Sequence, residues 1–206
     1  RRIAHEIKNP LTPIQLATER LKRRYRKQIL EDGELFEDLT ATIIRQVGEL
    51  RTMVDEFSSF ARLPKPVFRR EDAGALIRQA LFLQQVAHPD IDYTVEVGEG
   101  STAISCDRHQ FGQAMTNVLK NAAEAIEAKR RERGEEEYRG RIEVSATLGE
   151  EQVAITVSDN GVGLPQGAER LMEPYVTTRE KGTGLGLAIV KKIVEEHGGD
   201  LSFAPS

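Results

Sequence analysis

Apolar residues recur along the first third of the chain at the spacing of a helix. Ile3, Ile7, Leu11, Ile14, Leu21 and Tyr25 fall three, four or seven positions apart, which draws one stripe along an amphipathic helix. Leu35, Leu39, Ile43, Val47, Leu50, Val54, Phe57 and Ala61 repeat the pattern. Residues 28–33, with Glu31, Asp32 and Gly33, read as the turn of an αα-hairpin. Two helices alone bury such stripes poorly. Pairing two hairpins into a four-helix bundle covers them, so the pattern predicts a homodimer. Pro64 and Pro66 follow Leu63; they stop the second helix and make a stiff, extended connector. The predicted domains are therefore residues 1–63 and 64–206.

Beyond the prolines the period changes. Residues 67–69, 91–97 and 103–105 carry short strand patterns. Residues 141–148 and 152–158 alternate apolar and polar positions around Gly149-Glu150, as a β-hairpin does. Asp72 is placed to cap a helix ending near residue 87, with Leu76, Ala80 and Leu83 inward. A long helix over 108–130 presents Phe111, Met115, Val118, Ala122, Ala125 and Ile126 to the core. Another helix is predicted over 185–196, and a last strand starting at 200–203. Strands on one side and helices on the other predict a two-layer α+β sandwich. Residues 166–181 have little periodicity and read as a lid. The charged stretch 129–139 reads as a solvated helix end and loop.

Composition narrows the class. Charged residues make up 30% and hydrophobic residues 39%, which excludes a mostly disordered chain. With 33 acidic and 29 basic side chains the net charge is −4, so nucleic acid is not an expected partner. Cys106 is the single cysteine; it cannot form an internal disulfide and suits a reducing compartment. No apolar run reaches the ~18 residues of a membrane span. Arg1 already lies within the first helical stripe without a starting Met or cap, and the chain stops at Ser206. The expectation is a cytoplasmic fragment of a longer protein, with room for an inner-membrane anchor upstream.

Candidate chemistry lies at four places. On the first helix His5 points almost opposite the apolar stripe, Asn9 shares its face, and Glu6 flanks them. Pro10 and Pro13 sit inside the same helix, each costing about 3 kcal/mol in an unconstrained interior. They predict an interrupted, kinked helix beside His5. A neutral imidazole keeps one lone pair that can attack phosphorus, while Glu6 can take the proton from the other nitrogen. On the long helix Gln110, Gln113, Asn117, Asn121 and Glu124 form a second, amide-rich stripe. Asn is a poor helix former, and carboxamide oxygens suit a Mg²⁺ that also keeps phosphate oxygens and waters; a plain solvated face is the equal alternative.

Ser158-Asp159-Asn160-Gly161-Val162-Gly163 follows a strand. It is good turn chemistry, and it also lets Asp159 accept from an exocyclic amine while Gly161 and Gly163 admit a flat ring. Lys181-Gly182-Thr183-Gly184-Leu185-Gly186 opens the last helix, where backbone N–H groups favour phosphate. It does not follow a first strand and is not a P-loop, so the ordinary dinucleotide and Walker readings do not apply. The remaining histidines take plain structural roles: His88 ends a helix, His109 lies at a surface near a helix start, and His197 meets a helix C-terminus.

In order, His5-Glu6-Ile7-Lys8-Asn9-Pro10-Leu11 resembles the H box of sensor histidine kinases and Asn117-Val118-Leu119-Lys120-Asn121-Ala122 their N box. Asp159-Asn160-Gly161-Val162-Gly163 and Gly182-Thr183-Gly184-Leu185-Gly186-Leu187 resemble their two glycine boxes. Glu173-Pro174-Tyr175-Val176-Thr177-Thr178 stands in the place of the F box, with Tyr175 where Phe is more usual. The wording is most similar to NtrY-type nitrogen-regulation kinases. The resemblance implies a helical hairpin followed by a Bergerat-type ATP-binding domain, a mixed sheet under three helices. It implies His5 as phosphoacceptor, Asn121 as Mg²⁺ ligand with Asn117 near the phosphates, and Asp159 on the adenine amine. Tyr175, Thr177, Thr178, Arg179 and Lys181 of the lid, with Gly182–Gly186, would enclose the triphosphate. Arg179 or Lys181 would supply the charge that Glu124, where many relatives carry a cation, does not. The resemblance further implies autophosphorylation, transfer to an aspartate of a response-regulator receiver domain, and phosphatase action with Asn9 positioning water. The connector at Pro64 and Pro66 would let the ATP domain swing. The basic run 20–27 is mostly solvated surface that can also help dock the acidic partner. The alternatives are a Bergerat-fold ATPase with water as acceptor, and an ATP-binding dimeric scaffold without transfer.

Overall fold

A computed structural model describes residues 2–29, 31–61, 63–98, 103–134, 138–149, 152–165, 167–177 and 182–204, with backbone only at 2–6, 8, 59 and 148. These fall into two compact units. The first comprises Arg1–Leu63 together with Thr177–Leu185, and the second Pro64–Val176 together with Gly186–Ser206.

The first unit is built on two long helices, α1 (Arg2–Tyr25) and α2 (Gly33–Phe60). The bond from Gln28 N to Tyr25 O closes the turn after α1, and Phe36 N to Asp32 O opens α2. Contrary to the expected interruption, α1 runs through both Pro10 and Pro13. Each proline deletes one backbone donor, a loss that a helix of 24 residues absorbs without ending. Leu11, Val47 and Val54 are buried between the helices, whereas Ile14, Leu21, Leu39, Ile43 and Leu50 on the predicted stripes stay 43–56% exposed.

The second unit adds β1 (Arg69–Asp72), α3 (Ala73–Ala87), β2 (Ile91–Val97), β3 (Ala103–Cys106), α4 (Arg108–Arg133), β4 (Gly140–Leu148), β5 (Val153–Asp159) and α5 (Gly186–Glu196). A short 3-10 helix occupies Ala168–Met172. The strands form two ladders rather than one sheet. β1 pairs antiparallel with β3, while β2 runs parallel to β4 and β4 antiparallel to β5. The expected last strand is missing: residues 200–204 are irregular. A strand exists only through its partner, and no ladder engages this segment.

Alternation places Ile142, Val144 and Ala146 of β4 on the core face, against Met115, Leu119, Ala122, Ala123 and Ile126 of α4. The α4 stripe is rotated from the predicted one: Leu119 is fully buried, while Val118 and Ala125 are half-buried. On α3 Leu76 and Ala80 are buried as expected, Ile77 and Leu81 are buried beside them, and Leu83 faces out. Asp72 caps α3 as expected, accepting from Ala75 N at 3.1 Å.

The connector is tied down. Gln110 Nε2 donates to Pro64 O at 2.7 Å, and Val67 N donates to Asp107 Oδ2 at 2.8 Å. Gln110, expected on the polar face of α4, is thus a buried structural residue only 3% exposed.

Candidate functional site

The sites are built on elements whose ends are fixed by their own sequence. Asp107 caps α4, accepting from His109 N and Gln110 N at 2.9 and 3.0 Å, which satisfies two of the first-turn donors. Those bonds, with the one from Val67 N, hold its carboxyl below the usual carboxylate range, Val67 contributing most. His197, at the end of α5, engages Ile193 O through Nδ1 at 2.8 Å and accepts from Asp107 N through Nε2 at 3.0 Å. An imidazole that accepts at Nε2 is neutral and protonated at Nδ1. His197 therefore meets its own helix C-terminus, as expected, and also joins α5 to the start of α4.

From that base α4 carries Asn117 and Asn121 on one side, four residues apart. Asn117 Nδ2 donates to Gly186 O at 3.3 Å, fixing the first residue of α5. The bond engages the amide N–H of the side chain rather than its oxygen. Glu124, one turn beyond Asn121, lies 3.9 Å from Lys120.

The turn after β5 is held more tightly. Asp159 Oδ1 accepts from Gly161 N at 2.8 Å, an Asx turn. Asn160 Oδ1 accepts from Arg141 N at 2.8 Å, and Asn160 Nδ2 donates to Arg139 O at 3.0 Å. Val162 N donates to Ala125 O at 3.2 Å. A Cβ at Gly161 would lie 2.5 Å from the Ala125 carbonyl carbon. Gly161 is therefore required first by the approach of the turn to α4. Gly163 has φ +77° with open space around it, so its requirement is conformational.

Two residues outside the motif complete this turn. Lys129 Nζ donates to Asn160 O and Gly161 O, both at 2.8 Å, and the Tyr138 hydroxyl donates to Asn160 O. Both lie in the stretch expected to be solvated; Arg131–Gly134 and Arg139 are exposed as expected, while Lys129, Arg130 and Tyr138 are half-buried and correct it there. The same stretch holds Arg130, which pairs with Asp90 and donates through Nε to Tyr138 O.

Tyr175 is exposed and adopts φ +67°, a left-handed backbone that costs a non-glycine residue about 1 kcal/mol or more. In the first unit the Thr183 hydroxyl donates to Glu56, and Leu185 N donates to Thr183 Oγ1 at 3.4 Å. Gly182, Thr183 and Gly184 are half-buried and Leu185 fully buried. His5 and Glu6 lie on α1 with their side chains outside the described residues; Asn9, on the same helix, is exposed. Thr178, Arg179 and Lys181 also lie outside the described residues, whereas Thr177 lies within them.

The other chemical groups do not join these sets. Burial, then Glu71 and Asp107, push the Cys106 thiol up to about 11, so it stays protonated and is no nucleophile near neutral pH. Among the described residues no group of three His, Cys, Asp or Glu side chains could hold a metal, and no helix is long and apolar enough to cross a membrane.

Comparison with known proteins agrees with this layout. Residues 1–66 match the His Kinase A (phospho-acceptor) domain, and residues 106–206 the histidine kinase-, DNA gyrase B-, and HSP90-like ATPase. The nitrogen regulation protein NtrY of Azorhizobium caulinodans is 58% identical over the whole chain, which spans 26% of that relative's length. A putative sensor histidine kinase NtrY-like of Rickettsia typhi is 41% identical over 99% of the chain and 33% of its own length. The catalytic domain of histidine kinase ThkA is 30% identical over 64% of this chain and 82% of its own, with a TM-score of 0.52. ThkA in complex with response regulator protein TrrA covers 96% of this chain and 54% of its own at 27% identity, with a TM-score of 0.62. With a hairpin of the acceptor type and an ATPase fold both matched in order, the chain belongs to the sensor histidine kinases.

Proposed function

We propose that the chain, as a homodimer, transfers the γ-phosphoryl group of ATP to His5 and passes it to an aspartate of a response-regulator receiver domain. The observation that carries this reading is the pairing, in one chain, of an acceptor-type hairpin bearing His5 with an ATPase fold bearing Asn117, Asn121 and Asp159. The exposed apolar face of the hairpin supports dimerisation, because two such faces complete a four-helix core. The ThkA–TrrA complex supports a receiver partner, and the likeness to NtrY supports a role in nitrogen regulation.

The chemistry asks for positioning more than covalent work. A ring nitrogen of neutral His5 attacks the γ-phosphorus, the bond to the β-phosphate oxygen breaks, and ADP leaves with the electron pair. Glu6 accepts the proton from the other ring nitrogen. Asp159 accepts from the adenine amine, and the phosphates fall to Asn117, Tyr175, Thr177, Thr178, Arg179, Lys181 and Gly182–Gly186. The donor set fits Mg²⁺: Asn121 offers a neutral hard oxygen, and phosphate oxygens and waters complete a shell. Bound there, the cation would neutralise phosphate charge. Asn9, exposed on α1, would position water for dephosphorylation of the regulator. The parent protein would hold this core in the cytoplasm.

Incubation with γ-labelled ATP tests the reading. The expected product is acid-labile and alkali-stable, and His5→Gln abolishes it. A His5→Gln variant that still takes up such label would overturn the assignment. Undiminished ATP hydrolysis without any label on the native protein would make this an ATPase with water as acceptor.

A further inference from the structure

The turn that carries Asp159 is governed from outside its own motif. Lys129 extends from α4 and places one ammonium against two consecutive carbonyls, Asn160 O and Gly161 O. Tyr138 donates its hydroxyl to the first of these, and its ring lies 5.2 Å from the same ammonium. The Arg133 guanidinium faces that ring as well, at 5.7 Å. Lys129 and Tyr138 are both half-buried, and bonds from a partly desolvated ammonium are stronger than neutral ones.

The connection to Asp159 runs through a single peptide group. Asn160 C=O and Gly161 N–H belong to the same planar unit. Lys129 and Tyr138 grip its oxygen, while its N–H donates to Asp159 Oδ1 at 2.8 Å. Rotating that plane would move the N–H and with it the carboxylate it orients. The Asn160 side chain holds the turn to β4, yet it does not fix the tilt of the following peptide. Lys129 does.

We propose that Lys129, seated on Tyr138, is a positioning residue for base recognition: it sets the plane of the Asn160–Gly161 peptide and so aims Asp159 at the exocyclic amine of the nucleotide. The inference rests on the assignment of Asp159 to adenine. Lys129 acts through the turn and touches no reacting atom.

The test compares ATP with inosine triphosphate, which carries an oxygen in place of the amine, on the full chain. Lys129→Met keeps the aliphatic stem and removes both bonds. It should weaken ATP binding roughly tenfold, the worth of about one charge-assisted hydrogen bond. Inosine triphosphate binding should change little, so the preference between the two collapses. Autophosphorylation at saturating ATP should stay near native, giving a KM effect without a kcat effect. Lys129→Arg, which retains charge and donors, should restore most of the preference. Tyr138→Phe should move it the same way by about threefold, which keeps the test alive if Lys129→Met fails to fold. An equal loss for both nucleotides, or an unchanged preference, overturns the proposal. Asp159→Asn is run alongside. If it abolishes the preference while Lys129→Met does not, only the role of Lys129 fails. If Asp159→Asn leaves the preference intact, the adenine assignment fails and the proposal with it.

Discussion

The two units differ in how far each completes its own interior. In the α/β unit Ile77, Leu119, Ile126 and Ile142 have no exposed surface, drawn from α3, α4 and β4. In the hairpin the best-buried apolar residues, Leu11, Val47 and Val54, retain 6–8%, and large residues beside them stay near half exposed. Among buried polar side chains the hairpin helices keep their bonds local, although that unit also carries the long-range bond from Thr183 to Glu56. The buried Thr18 and Thr40 hydroxyls bond carbonyls of their own helix, Ile14 O and Phe36 O, whereas Gln110 reaches Pro64 across 46 positions. One unit is a finished core held by distant contacts. The other leaves an apolar face open, which a second copy would cover in the proposed homodimer.

The largest expected effect follows from placing a charge in the unfinished seam. Ile43 is 43% exposed in the single chain and would be covered in a dimer. Ile43→Glu would bury an unpaired carboxylate in each copy, at a cost on the order of 3–5 kcal/mol apiece. Sedimentation should then show a dimer for the native chain and a monomer for the variant at the same concentration. If the variant remains dimeric, the seam lies elsewhere and the contrast between the units loses its explanation.

Next is a cavity in the finished core. Leu119 is fully buried against the α3 and β4 side chains of one cluster. Leu119→Ala should cost about 3 kcal/mol, within the usual 2–5 for such truncations, read as a lower urea midpoint. The loss should not depend on protein concentration, unlike that of Ile43→Glu. A concentration-dependent loss would mean that this core, too, needs a second copy.

What the sequence reveals follows the range of each interaction. The helices, the β2, β4 and β5 strands and the Asp72 cap come from local periodicity and turn chemistry, and all are present. The order of the motifs is equally local, and the family match agrees with it. Less legible is anything set by a partner far along the chain. Leu83 fits the α3 stripe in spacing, yet the sheet selects the neighbouring face with Ile77 and Leu81. Lys129 sits in a charged run that looks solvated, and its partners Asn160 and Gly161 lie 31 and 32 positions away. Gln110 shares the polar face of α4 by spacing but is claimed by the connector. Pro10 and Pro13 mislead in the opposite sense: a local rule predicts a break that the length of α1 overrides.

The smallest effect examines whether distance-spanning polar contacts matter to the α/β unit at all. Asp107 caps α4 with one oxygen and holds Val67 N, 40 positions away, with the other. Asp107→Ala should cost about 1–2 kcal/mol, a lost cap plus an orphaned connector donor. Asp107→Asn retains one acceptor oxygen and should cost less. The sign with pH follows from the depressed carboxyl, held down first by Val67 N and then by Gln110 N. A group more acidic when folded contributes its full stability above the unfolded Asp value of about 3.9 and loses it as pH falls through the lower folded one. The stability difference between native chain and Asp107→Ala should therefore be constant near neutrality and shrink below about pH 4. A difference that persists undiminished into acid would mean that the carboxylate charge contributes nothing. The bonds from Val67 N, His109 N and Gln110 N would then be ones that a neutral carboxyl accepts as well as a carboxylate does, and the cap and the connector would hold through acceptor geometry rather than through charge.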